Sequence, residues 1–273
     1  MPKSLYVVAT PIGNLKDIST RAVETLKTVD LILAEDTRRT KVLLDHYGIK
    51  TPTLSLHKFN EYSRLSKIKE LFEQDKSLAL VSDAGTPLIS DPGEGLVEYS
   101  INNKIPVIPI PGPSSLTTLL SVSGLDLKSA PPVFLGFMPH SKEKTKALLE
   151  RLFSDDFTYV VFESPLRIRS LIELIRAIDQ NSKIVIGREL TKIHEEILVL
   201  NPGEKLDEIK EKGEFVIAIQ PSIKSNKNNK VNVSGGNSED TRGLSKLLAN
   251  YLNINQKEAY SVLLELKERF TKI

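Results

Sequence analysis

Five short apolar runs, at residues 5–9, 31–34, 53–56, 77–81 and 106–110, punctuate the first half of the chain. Each has strand length, and the segments between them place apolar residues at helical spacing. In residues 63–74, for example, Leu65, Ile68, Leu71 and Phe72 form one stripe. Strands alternating with amphipathic helices predict a doubly wound α/β domain on a parallel sheet. Residues 124–132 hold Gly, Asp and Pro-Pro without sustained periodicity, which sets a boundary there. A second alternation follows, with strands at 133–137, 158–163, 183–187, 195–200 and 215–220 and helices at 142–153, 166–178 and 202–211. The short return between 183 and 200 implies antiparallel pairing and hence a mixed sheet.

Residues 221–237 contain K-S-N-K-N-N-K and S-G-G-N, too polar to bury a core, and read as a linker. Two short helices are expected beyond it. The first carries Leu244, Leu247, Leu248, Tyr251 and Leu252 on one face. The second opens on Asn255-x-x-Glu258, a capping-box pattern, with Ala259, Leu263, Leu266 and Phe270 on a stripe. The expected organisation is an N-terminal α/β domain (1–124), a second α/β domain (125–221), a linker (222–237) and a small helical domain (238–273).

Three loops stand in one topological position, each just after an apolar run and before a helical segment. They are T-P-I-G-N (10–14), S-D-A-G-T-P-L-I-S-D-P-G (82–93) and P-G-P-S-S (111–115). Loops at the C-terminal ends of parallel strands line one edge of the sheet, where open α/β folds bind small ligands. The first loop has one glycine, so the three-glycine dinucleotide fingerprint is missing although Glu35 and Asp36 lie at a suitable distance; no P-loop pattern occurs either.

Composition narrows the chemistry. The chain has no cysteine, which removes disulfides, thiolate metal sites and cysteine nucleophiles. Its four histidines, His46, His57, His140 and His194, are scattered outside any metal-binding pattern, so no metal is expected. No apolar stretch approaches membrane-spanning length and the first run lacks a signal layout, so a cytoplasmic protein without a membrane partner is expected. The net charge of +2 is unevenly placed: residues 222–273 carry 9 basic and 5 acidic residues, residues 1–221 carry 28 and 30. Lys224, Lys227, Lys230, Arg242 and Lys246 in that tail could contact RNA phosphates or simply keep a linker solvated.

Taken together, A-T-P-I-G-N-L-x-D-I-S (9–19), A-E-D-T-R (34–38), V-S-D-A-G-T-P-L-I-S-D-P-G (81–93), P-G-P-S-S (111–115), F-E-S-P-L-R (162–167) and R-E-L-T-K (188–192) resemble the tetrapyrrole methylase family of S-adenosylmethionine-dependent methyltransferases. Tetrapyrrole-acting relatives have a first loop closer to G-x-G-P-G; T-P-I-G-N favours the branch that 2'-O-methylates a cytidine in the decoding region of 16S rRNA. The resemblance implies a two-domain fold, a doubly wound parallel sheet followed by a mixed-sheet α/β domain, here with a small C-terminal helical extension. It also implies a homodimer and the small ribosomal subunit as partner. The cofactor would be held by Pro11, Gly13, Ser82, Asp83, Ala84, Gly85, Thr86, Pro87, Gly112, Ser114 and Ser115, with Phe162, Glu163, Ile217 and Ala218 around its adenine.

Methyl transfer from a sulfonium is an in-line displacement helped by a cation or base near the acceptor hydroxyl. Lys192 is the candidate for easing the developing alkoxide, with Glu189 or Asp36 accepting the proton. Arg38, Arg39 and Arg188 are candidates for RNA phosphates. For each of these charged residues a structural salt bridge is the competing reading. The alternatives to rRNA methylation are methyl transfer to a tetrapyrrole or other small acceptor, and a non-catalytic RNA- or cofactor-binding module.

Overall fold

The computed structural model describes residues 3–204, 209–222, 244–245, 248–249 and 255–270, without the side chains of 265–270. The chain divides into two units, Met1–Ile223 and Lys224–Ile273.

The first unit carries two five-stranded sheets. Strands β1 (Leu5–Val8), β2 (Leu31–Ala34), β3 (Thr53–Ser55), β4 (Leu78–Val81) and β5 (Val107–Ile110) lie in the order β3-β2-β4-β1-β5, every neighbouring pair parallel. Both faces are covered, which is why the central strands read as unbroken apolar runs. Helices α1 (Thr20–Thr28) and α2 (Thr37–His46) lay Ala22, Leu26, Leu43 and Leu44 against Tyr6, Val8, Ile32, Ala34, Ala79 and Val81. On the other face α3 (Glu61–Glu73) and α4 (Glu94–Asn102) lay Ile68, Phe72 and Leu96 against Leu5, Leu33, Leu78 and Leu80. The chain leaves adjacent strands β1 and β4 in opposite directions, towards β2 and β5. Right-handed crossovers therefore send α1 and α4 to opposite faces and open a crevice above the ends of β1 and β4.

The second sheet joins β6 (Pro132–Phe137), β7 (Thr158–Glu163), β8 (Lys183–Arg188), β9 (Glu196–Leu200) and β10 (Phe215–Gln220) in the order β6-β7-β10-β8-β9. β6 runs parallel to β7 and the other neighbours are antiparallel, so this sheet is mixed, as the spacing predicted. One face packs on α6 (Lys142–Leu152) and α7 (Ile168–Ile178) through Leu149, Ile168, Leu171, Ile172 and Ile175. The other face meets α5 (Ser115–Val122), where fully buried Leu119 joins Val160, Val185, Val216 and Ala218 with Ile12 from the first sheet's loop.

The helix expected at 202–211 is not found in the described residues. Asn201 donates from its backbone and side-chain nitrogens to the Glu204 carboxylate at 2.8 and 3.1 Å, closing a turn around Gly203 at φ +81°. Residues 209–212 carry no helix, and 205–208 lie outside the described residues. Left-handed Gly203 is incompatible with a helix running through that position.

In the second unit the predicted capping box is present: Glu258 N donates to Asn255 Oδ1 at 3.0 Å and Asn255 N to Glu258 Oε2 at 3.3 Å, opening the helix Gln256–Phe270 with Ala259 buried. Leu244, Ser245, Leu248 and Ala249 are also helical. The expected linker beyond Ser222, its lysines, Leu247, Tyr251, Leu252 and the side chains of Leu266 and Phe270 fall outside what is described.

The sheet edge remote from the crevice is stitched by one carboxylate. Asp30, just before β2, accepts from Ser77 N at 2.8 Å, Ser77 Oγ at 2.9 Å and Lys76 Nζ at 3.0 Å, tying the starts of β2 and β4. The Ser77 N–H foremost, assisted by Lys76 and the Ser77 hydroxyl, lowers its pKa to about 2. A carboxyl depressed on folding stabilises above its unfolded value and loses that contribution as pH falls towards its folded one. Because the side chain is 35% exposed, solvent screening reduces the contribution to about 1 kcal/mol. Asp30→Asn is expected to lower Tm by about 2–4 °C at pH 7. Thermal scans at pH 7, 4 and 3 should show the gap from the parent protein narrowing across the two acidic points.

Candidate functional site

The three strand-end loops are joined to one another. Thr10 N donates to Gly85 O at 2.9 Å and Gly85 N to Thr10 O at 3.0 Å, an antiparallel bridge between the loops after β1 and β4. Thr10 Oγ1 adds a bond to Ser82 O at 3.1 Å, and Thr86 Oγ1 donates to Pro113 O at 3.4 Å, bringing in the loop after β5. Gly85 sits at φ +80°, where a side chain is strained. Gly112 is needed for closeness: a Cβ there would lie 3.0 Å from Ala9 Cβ. Pro11, Gly13, Ser82–Pro87 and Gly112 thus belong to one cluster. Ser114 stands at the N-cap of α5, and Ser115 begins the helix.

The second sheet reaches this cluster through residues 189–192. Asn14 N donates to Thr191 Oγ1 at 3.1 Å, and a Cβ on Gly13 would collide with Lys192. Glu189 and Thr191 adopt left-handed backbone, φ +50° and +66°. The Lys192 ammonium lies 2.8 Å from Glu189 Oε1 and 3.1 Å from Glu214 Oε2. Burial pulls Lys192 downward, but the two carboxylates outweigh it and hold the group above its ordinary value, a persistent cation. Burial pushes Glu189 upward, and the Lys192 bond, the Glu214 N–H at 2.8 Å and the charges of Lys192 and Arg188 overcome it, leaving a firmly ionised, weak base. Gly213, at φ +103°, has no room for a side chain, since a Cβ would stand 2.5 Å from Glu189 Cγ.

Several expected site residues have other partners. Arg188 is buried, bonded to Glu196 Oε2 at 2.8 Å and Lys212 O at 3.3 Å, a structural pairing in place of a phosphate contact. Glu163, 2% exposed in its side chain, pairs with Arg167 at 2.6 Å and accepts from Ser164 N at 2.7 Å, fixing the turn into α7. Ile217 and Ala218 cannot share a task, because successive strand residues face opposite ways. Ile217 enters the core with α6 and α7, whereas Ala218 and Phe162 face α5 and Ile12.

A carboxylate group flanks the crevice at the ends of β2 and β4. Asp36 N donates to Asp83 Oδ1 at 3.0 Å, and Arg39 pairs with Asp83 at 3.3 Å. Asp36 caps α2 and pairs with Arg38 at 2.7 Å; the Arg38 bonds hold it far below the usual carboxylate range, so it too is a weak base. Both arginines stay at the surface, their side chains 89% and 68% exposed, within reach of an approaching phosphate. Glu35 and Asp91 behave differently. Burial first, then the Asp83 charge, raises Glu35. Burial first, then the Glu35 charge, brings Asp91 to about 6 against the opposing Ser82 hydrogen bond. Among the described residues no His, Asp and Glu side chains are gathered closely enough to hold a metal ion. Sequence reasoning named Thr10 and Asp91 only as members of their loops, without a site role, and passed over Gly213 and Glu214. The second aspartate of S-D-A-G-T-P-L-I-S-D was a visible signal for Asp91; the others become meaningful only through partners distant in sequence.

Likeness to known proteins identifies the family. Residues 4–206 match the profile of Tetrapyrrole (Corrin/Porphyrin) Methylases. A protein of Hydrogenobaculum sp. named ribosomal RNA small subunit methyltransferase I is 45% identical over 79% of this chain and 94% of its own. One of the same name from Leptospira biflexa is 42% identical over 82% of this chain and 94% of its own. The structure of diphthine synthase superposes with a TM-score of 0.61 at 17% identity, covering 80% of this chain and 89% of that one. A domain-length profile match, close relatives over most of both lengths and a shared fold make this chain a member of the tetrapyrrole methylase family, among relatives named ribosomal RNA small subunit methyltransferase I.

Proposed function

We propose that the protein transfers a methyl group from S-adenosylmethionine to the ribose 2'-hydroxyl of a cytidine in the decoding region of 16S rRNA, acting on the small ribosomal subunit. The names of its relatives support the substrate class. The observation that carries the reading is the junction of three strand-end loops with a persistent ammonium, Lys192, at one crevice.

The crevice suits the cofactor chemically. S-adenosylmethionine supplies a methyl group on a sulfonium and also carries an ammonium and a carboxylate. Burial first, and then a neighbouring carboxylate charge, raises both Glu35 and Asp91, and a cationic ligand relieves the part that comes from repulsion. Pro11, Gly13, Ala84, Gly85 and Gly112 bring backbone close to any ligand above β1 and β4. On the acceptor side Lys192 offers positive charge where an alkoxide develops. Asp36 and Glu189 are held too acidic to be efficient bases, so their part is to hold Arg38 and Lys192.

The decisive experiment is mapping of ribose methylation on 16S rRNA from cells with and without the gene; loss of a single 2'-O-methylcytidine is expected. Lys192→Ala is expected to lower single-turnover methylation of small subunits by about 10²-fold, as for loss of one transition-state donor, with cofactor affinity changed little. Asp91 gives a pH signature. Its raised value means that the ionised form is lost as pH falls through about 6, and with it one attraction for a cation. S-adenosylmethionine affinity is therefore expected to fall about fivefold, on the order of 1 kcal/mol, from pH 7.5 to 5. Calorimetry on Asp91→Asn should show a smaller pH dependence than the parent.

A further inference from the structure

Phe137, at the end of β6, is 61% exposed, yet its ring is held. It packs edge-on against Phe162 with centroids 5.5 Å apart, and Phe162 packs edge-on against Phe134 at 4.9 Å. In a regular strand Phe134 and Phe137, three positions apart, would face opposite sides of the sheet. A bulge prevents this. The register shifts between Phe134 and Gly136, so that Phe134 pairs with Val160 and Phe137 with Phe162. Val160 and Phe162 share the face that carries Ile12, Leu119 and Ala218. The extra residue thus carries Phe137 to the side of the strand-end loops, the kind of re-aiming that bulges perform beside active sites. The neighbouring Gly136, at φ +69°, lies against the loop after β4, where a Cβ would stand 3.5 Å from Ser90 Oγ.

The next turn adds charge. His140 is exposed ahead of α6, and Lys142 and Lys144 are exposed in its first turn on either side of Glu143, to which the N-cap Ser141 hydroxyl donates at 2.6 Å while accepting from Lys144 N at 3.3 Å. An exposed aromatic ring, braced from behind and followed by two lysines, has the chemistry of a single-stranded nucleic-acid platform: a π-face for a base and cations for the phosphates beside it. A ribose hydroxyl that must enter a crevice also requires its nucleotide to leave the stack, and a ring at the entrance offers the displaced base a replacement partner.

We propose that Phe137 is the surface on which an unpaired base of the acceptor RNA stacks, with Lys142 and Lys144 taking the adjoining phosphates. The assignment rests on the rRNA-methylation reading and deepens it by naming the nucleotide-holding side of the crevice.

The test compares full-length parent, Phe137→Ala, Phe137→Trp and the Lys142→Ala/Lys144→Ala double variant on small subunits purified from cells lacking the gene. S-adenosylmethionine affinity and Tm are measured in parallel. Phe137→Ala is expected to reduce kcat/KM for the subunit by about 5- to 100-fold, the range for loss of one base–aromatic stack, with cofactor affinity within about twofold of the parent because the ring faces the RNA. Phe137→Trp should restore most of the loss. The double lysine variant should weaken subunit binding and flatten its salt dependence by about 1–2 units of slope. Unchanged kcat/KM in Phe137→Ala would overturn the assignment. So would an equal loss of cofactor affinity, which would make the ring an adenine contact, or a tryptophan variant no better than alanine, which would make it packing. A parent protein that leaves the subunit unmethylated would instead remove the reading beneath it, an outcome visible before any variant is compared.

Discussion

Two backbone hydrogen bonds between Thr10 and Gly85 set the geometry from which the rest of the site is measured. They fasten the loop after β1 to the loop after β4, the two strands between which the sheet changes its direction of winding. The bridge demands a left-handed residue at position 85 and leaves the first loop only one course, across the second sheet's 189–192 segment. Gly112 then seats the third loop on Ala9. The glycines of these loops answer first to the packing of loop on loop, and the shape they leave is what a ligand meets.

Around that frame the charges divide by side. Towards β2, carboxylates crowd together with Arg38 and Arg39 at the rim, so the local balance favours a cation inside and an anion at the edge. Towards β8, one ammonium is enclosed by Glu189 and Glu214, and the surroundings keep it charged. The two groups of acids differ in kind. Asp36 and Glu189, beside Arg38 and Lys192, are acidified and fixed, whereas Glu35 and Asp91, partly buried beside other acids, remain responsive to pH and to what binds.

Much of the fold was legible because it depends on local patterns. Continuous apolar runs of four or five residues announced the parallel strands, and N-x-x-E announced a cap that both side chains complete. The loops were legible as a group because each follows a strand. Legibility failed where a residue's role depends on a distant partner or on counting parity. Ile217 and Ala218 were grouped although a strand separates them to opposite faces. Glu163 looked available until Arg167 closed on it, and Arg188 until Glu196 did. The 202–211 segment has helix-forming residues, but Gly203 turns left-handed at its start and the described residues 209–211 are not helical. The bulge had a mark in the sequence, the glycine of F-L-G-F, yet its effect on which way Phe137 faces appears only once β7 supplies the register.

The contact between Asn14 and Thr191 sets a tolerance. Lys192 belongs to a hairpin of the second sheet, and without that contact its position relative to the first sheet would accumulate the play of α5, the 123–131 connection and three strands. One hydrogen bond from a backbone N–H of the first loop, beside the steric stop at Gly13 and Ile12 buried against the second sheet, shortens that long chain of elements. Alignment across the crevice is then limited by the stiffness of these contacts, and a substitution as small as Gly13→Ala, whose methyl would press on the Lys192 side chain, acts on registration without removing a single titratable group.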